Sequence, residues 1–68
     1  MTQALVNGET MIVPDGRTIA ALVEEITGSP EQRGIAVARN GEIVRRDDWQ
    51  ATVEDGDQIE IVRAVQGG

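Results

Sequence analysis

The chain has 68 residues, no cysteine, no histidine and a formal net charge of −6 from twelve acids against six arginines. One small domain is the most this length supports, and disulfides and the common zinc sites are excluded as its staples. The acidity disfavours nucleic acid and anionic membranes as partners, and the hydrophobic share of 40% argues against disorder.

The opening MTQALVNGET has neither a basic start nor a long apolar run, so no signal peptide or membrane span is expected and a cytoplasmic location is the default reading. QALV at 3–6 and ETMIV at 9–13 flank Asn7-Gly8, the strongest short hairpin signal, because the favoured two-residue turn needs positive φ at both positions. Pro14 lacks an N–H for a strand ladder and closes the second strand. In TIAALVEEI, Ile19, Leu22, Val23 and Ile26 fall at i, i+3, i+4 and i+7. That spacing predicts a helix over about 19–26 with all four side chains buried, Thr18 as N-cap and Gly28 with Pro30 as the stop.

Residues 28–34 read as a loop. IAVAR at 35–39 and EIV at 42–44 form a second hairpin about Asn40-Gly41. Arg39 suggests that the Ala36/Ala38 face of that strand packs inward. Trp49, the lone aromatic, is expected to cap the core. Asp47-Asp48 reads as a solvated turn, and DGD at 55–57 as a tight turn, since the rest of a calcium loop is missing. QIEIVRAV at 58–65 alternates with Ile59 and Ile61 on one side, a half-buried strand. Its patterning places it in the centre of the sheet, parallel to the first strand, which the helical crossover permits.

These elements predict an α+β fold of the β-grasp, ubiquitin-like kind: a mixed sheet of four or five strands with one main helix on one face. The domain is expected to span 1–65, followed by a flexible tail, 66–68, ending in Gly-Gly. Arg63 and the residues after it are expected to be mobile. Val62 and Val65, by alternation, are assigned to a partner-docking surface instead of the core. No catalytic constellation, phosphate loop or metal-ligand spacing is visible, so neither a catalytic residue nor a metal site is assigned.

The chemistry is expected at the end of the chain. At this chain's glycine usage, 8 in 68, two terminal glycines would arise by chance in about one chain in a hundred. A bare Gly67-Gly68 backbone can enter a narrow channel and bring the Gly68 carboxylate to the α-phosphate of ATP inside another enzyme. The resulting acyl-adenylate is open to attack by a sulfur nucleophile.

Five stretches carry a family resemblance across almost the whole chain: VNGE, DGRTIAALVEEI, NGEIVRRDDW, VEDGDQIEIV and the final GG. The chain resembles the ThiS family, the sulfur carriers of thiamine biosynthesis. Arg45 departs from the pattern, since the family often has proline there, and only the tightness of one bend is expected to change. The resemblance implies a protein co-substrate, not an enzyme. An adenylating enzyme (ThiF type), using ATP and magnesium, would activate Gly68 as the glycyl adenylate. A cysteine desulfurase or other persulfide donor would supply sulfur, turning Gly68 into 1-thioglycine, a thiocarboxylate. Thiazole synthase (ThiG) would take that sulfur, with Gly67 giving clearance; no bound cofactor is implied. Two alternatives are the same chemistry serving molybdopterin or cysteine synthesis, and a non-covalent β-grasp interaction module.

Overall fold

A computed structural model describes residues 1–28 and 34–63. Strands β1 (Thr2–Val6) and β2 (Glu9–Val13) form the first hairpin, and β3 (Ile35–Arg39) and β4 (Glu42–Val44) the second. Asn7 and Asn40 lead the two turns with φ of +50° and +52°. Asparagine tolerates that region better than other side chains, which is why the Asn-Gly pairs read as turns.

Helix α1 (Ile19–Thr27) lies between the hairpins, and β5 (Gln58–Arg63) follows a 3-10 turn at Arg46–Asp48. The sheet order is β2-β1-β5-β3-β4, with β5 parallel to β1 and antiparallel to β3. The last strand is therefore central, as its patterning requires. Arg63 belongs to it, paired with Ile35, so the expectation that mobility begins at Arg63 is corrected. The β3 ladder holds the strand there, although the β1 ladder has ended at Val6 and Ile59.

The helix start satisfies its first amides one by one. The Thr18 hydroxyl accepts from the Ala21 N–H at 3.1 Å, and the Leu22 N–H reaches the Thr18 carbonyl at 3.0 Å. Ile19 and Ala20 donate to the carbonyls of Ala51 (3.0 Å) and Trp49 (2.9 Å), so the segment before β5 completes the cap. At the other end Gly28 adopts φ +73° and donates its N–H to the Glu24 carbonyl. Glycine carries no Cβ penalty in that left-handed conformation.

Ile19, Leu22 and Val23 of α1 pack against Ala4, Val6, Val13, Val37, Ile59 and Ile61 of the sheet. Ile26 does not join them and is 39% exposed. It shares the stripe by periodicity but falls in the last turn, and periodicity does not report how far the core extends. The facing of β3 also differs from expectation. Val37 is buried opposite Ile61 and Ile35 packs on the core, whereas Ala36 is exposed and Ala38 half-buried. Arg39 shares the face of Val37 because it stands at the strand's end, where its guanidinium leaves the core to meet polar partners. Trp49 is buried, as expected, and donates its indole N–H to the Val44 carbonyl at 3.2 Å. The Arg46 guanidinium sits 4.8 Å from its ring centre, on the outer side of the core.

Leu22 is fully buried. Leu22→Ala is expected to cost about 2–5 kcal/mol in urea unfolding. A loss near zero would show that the stripe does not hold the helix to the sheet.

Candidate functional site

Strand β5 delivers the chain to its last five residues, so what fixes β5 fixes the point from which they start. Leu5 donates its N–H to the Asp57 carbonyl, and Asn7 to that of Ile59, both at 2.9 Å. The Ile61 N–H then donates to the Asn7 side-chain oxygen at 2.8 Å. The amide side chain thus carries the attachment one step past the end of β1. On the other flank, Asn40 donates its N–H to the Gln58 carbonyl (2.7 Å) and accepts the Gln58 N–H on its side-chain oxygen (2.9 Å). Both turn asparagines also clamp β5.

The foot of the strand is anchored by Asp57, 6% exposed. Its carboxylate accepts the Glu54 N–H at 2.8 Å and the Asn40 side-chain amide at 3.2 Å, and it pairs with the Arg39 guanidinium at 2.7 Å. Burial alone would raise its pKa. The Glu54 N–H and the Arg39 and Asn40 donors outweigh that and hold the carboxyl below the usual carboxylate range. Arg39 also donates to the Thr52 carbonyl at 3.2 Å. Asp55 accepts the Gln3 N–H, and Gly56 donates back to the Gln3 carbonyl, each at 2.8 Å, which ties the turn to β1. DGD is a tight turn, as read from sequence, and also an anchor, which that reading missed.

The face of the sheet away from α1 is open. Val62 is 58% exposed on it, opposite Ala36, in keeping with its assignment away from the core. Ile43, 74% exposed, stands opposite Ala38. Register therefore joins Val62, Ala36, Ala38 and Ile43 into one apolar strip beside the outlet of β5. Ile43 was not singled out in the sequence, although alternation with the inward Val44 marks it. Val65, Gly67 and Gly68 lie outside the described residues. No cluster of three or more acidic side chains fit to hold a metal occurs among the described residues, and no helix among them is long and apolar enough to cross a membrane. A convergent set of catalytic side chains is likewise missing among them; what the fold offers is a clamped strand with an apolar strip at its exit.

The profile of the ThiS family matches residues 2–68. The chain belongs to the ThiS family. It is 39% identical over 67 residues to "Sulfur carrier protein ThiS" of Escherichia coli (strain K12), covering 97% of this chain and 98% of that protein. Over 65 residues it is 38% identical to a "Thiazole synthase" of Paramagnetospirillum magneticum (strain ATCC 700264 / AMB-1). That match takes in 94% of this chain and 19% of the synthase. The crystal structure of ThiS from Geobacter metallireducens superposes with a TM-score of 0.73 at 27% identity, over 98% of this chain and 100% of that one. The β-grasp fold is thereby established, and the protein is a sulfur carrier of thiamine biosynthesis, not a catalyst.

Two outcomes follow from the clamps in this ThiS-family chain. Asp57→Asn is expected to destabilise by about 1.5–3 kcal/mol at pH 7, the range for hydrogen bonds to charged groups. A depressed carboxyl stabilises fully above its unfolded pKa of about 3.9 and loses that contribution as pH falls through the folded value. The gap between wild type and variant in urea melts should therefore close in acid; a gap independent of pH would remove the charge from the account. Asn7→Gly keeps the turn conformation and removes the acceptor for Ile61. A loss of about 0.5–1.5 kcal/mol is expected, with faster hydrogen exchange at the Ile61 amide. Unchanged exchange there would show that the clamp does not hold the strand.

Proposed function

We propose that the carboxyl group of Gly68 is the point of sulfur loading, and that thiazole synthase receives the sulfur. Membership of the ThiS family over residues 2–68 carries the reading. The architecture supports it. Five residues follow Arg63, the last of them Gly68, and an extended chain of that length reaches about 17 Å. A partner can therefore take the end into a site well inside its own surface while the β-grasp body stays outside.

The steps follow from carboxyl chemistry. In the adenylating enzyme, a Gly68 carboxylate oxygen attacks the α-phosphorus of ATP, and pyrophosphate leaves with the electron pair of the broken P–O bond. Magnesium bound with the nucleotide would offset the phosphate charge. The terminal sulfur of a persulfide, its sulfur drawn from cysteine by a desulfurase, then attacks the acyl carbon and AMP departs. A thiol cleaves the S–S bond of that intermediate, forming a disulfide and leaving the thiocarboxylate on Gly68. Gly67 contributes by lacking a side chain, so that backbone alone occupies the channel. Val62, with Ile43 beside it, and Val65 supply apolar contact for the partner. The Paramagnetospirillum thiazole synthase, which contains a stretch similar to this chain, supports that enzyme as the destination.

Appending one alanine after Gly68 is expected to abolish ATP–pyrophosphate exchange with the adenylating enzyme while the melting temperature holds. In-line attack needs the reacting atoms about 3–3.5 Å apart, and one residue shifts the carboxylate by roughly 3.3–3.6 Å. Gly67→Val is expected to block exchange by steric obstruction instead. Wild-type exchange by the extended protein would show that Gly68 is not the reacting residue.

A further inference from the structure

The arginines of the described chain divide into two groups. Arg17 pairs with Glu25 at 2.6 Å, Arg39 pairs with Asp57, and Arg46 lies over Trp49. Arg45 and Arg63 are exposed and meet no carboxylate among the described residues, in a chain with twice as many acids as arginines. Their positions are related by register. Arg63 pairs with Ile35 at the start of β3. Arg45 continues directly from Val44, which pairs with Val37, and its backbone is still extended. The two thus stand on either side of β3, about 10 Å apart at two strand spacings, at the end of the sheet where β5 leaves. By alternation Arg45 shares the open face with Ile43, while Arg63 stands at the rim of the other face.

The carboxylates of Asp15, Glu54, Asp55 and Asp57 gather at the opposite end, around the starts of β1 and β5, while Glu9, Glu42 and Glu60 stand midway along the sheet, Glu60 on the open face opposite Ala38. Asp47 and Asp48 follow Arg45 in the 3-10 turn and form no ion pair with it. Arg45 and Arg63, which meet no carboxylate among the described residues, therefore both stand at the outlet end of the sheet. An internal ion pair would bury that charge in the fold. Here it is left available to something outside.

We propose that Arg45 and Arg63 bracket the outlet as a partner-selecting contact for a carboxylate-bearing surface on the adenylating enzyme, with Val62 and Ile43 packing on apolar ground between those carboxylates. The proposal rests on the carrier reading above and adds how one enzyme is chosen and approached. Opposite charges at an interface rim speed encounter and reject wrong partners, and their effect weakens with salt. Arg45 then has a role beyond the bend it replaces.

The test is ATP–pyrophosphate exchange with the adenylating enzyme of the same organism, titrated with carrier at low and high ionic strength. Wild type is compared with Arg45→Glu/Arg63→Glu and, as a milder variant, Arg45→Gln/Arg63→Gln, each with a thermal melt. Charge reversal is expected to raise the half-saturating carrier concentration about tenfold or more at low salt, the neutral pair less, with the values converging at high salt. The effect should fall on carrier half-saturation more than on the rate at saturation. Equal half-saturation across the three folded proteins would overturn the bracket and leave the carrier reading standing. No exchange by wild type would sink both. A shift in half-saturation for ATP instead would place the arginines on nucleotide phosphate and overturn the proposal. So would a wild-type self-association, seen by sedimentation and lost on charge reversal, since the acidic end of a second copy would then be the partner.

Discussion

The parallel pairing of β5 with β1 is the constraint on which the other features of this small protein depend. It places the last strand between two neighbours, so the segment leading to the chain's end starts from the middle of the sheet and not from a fraying edge. Parallel neighbours cannot be joined by a short turn, and the crossover here contains the helix, the second hairpin and the Trp49 segment. Each of those is tied back in turn. The Trp49 and Ala51 carbonyls cap the helix, and the turn at 55–57 is bonded to Gln3.

Economy of side chains accounts for much of this arrangement. A 68-residue chain with one aromatic has few large groups to spend on a core. Asn7 and Asn40 each serve a turn and a clamp, and the buried Asp57 carboxylate joins the 54–57 turn to Arg39 and Asn40 of the second hairpin. No buried side-chain polar atom among the described residues lacks a hydrogen-bond partner. Full satisfaction matters here because an unpaired group in so small an interior would cost a large share of the net stability.

The same layout separates holding from presenting. Anchoring polar groups lie at the foot of β5, whereas the outlet carries Val62, Ile43 and two arginines that meet no acid partner among the described residues. A carrier whose chemistry is done by other proteins needs a body that stays folded while its end is drawn away, and a surface that tells one recipient from another. The first need falls on the anchored end, and the second is the role proposed for the open one.

Much of the fold was legible in the residues themselves. The Asn-Gly turns, the α1 stripe from Ile19 to Val23, the Thr18 cap and the alternation of β5 are local patterns, set by φ preferences and by periods of 3.6 and 2. The five motifs, the final glycines among them, also pointed to the family. Tertiary structure decided what depends on distant neighbours. Ile26 is exposed because the core ends before the helix does. Val37, and not the Ala36/Ala38 face, turns inward because Arg39 finds Asp57, eighteen residues on, and can sit on the core side at a strand end. The clamps from Asn7 to Ile61 and from Asn40 to Gln58 join residues 54 and 18 positions apart, beyond the reach of any local pattern. The pairing of Arg45 and Arg63 about one outlet likewise exists only once β3 lies between them.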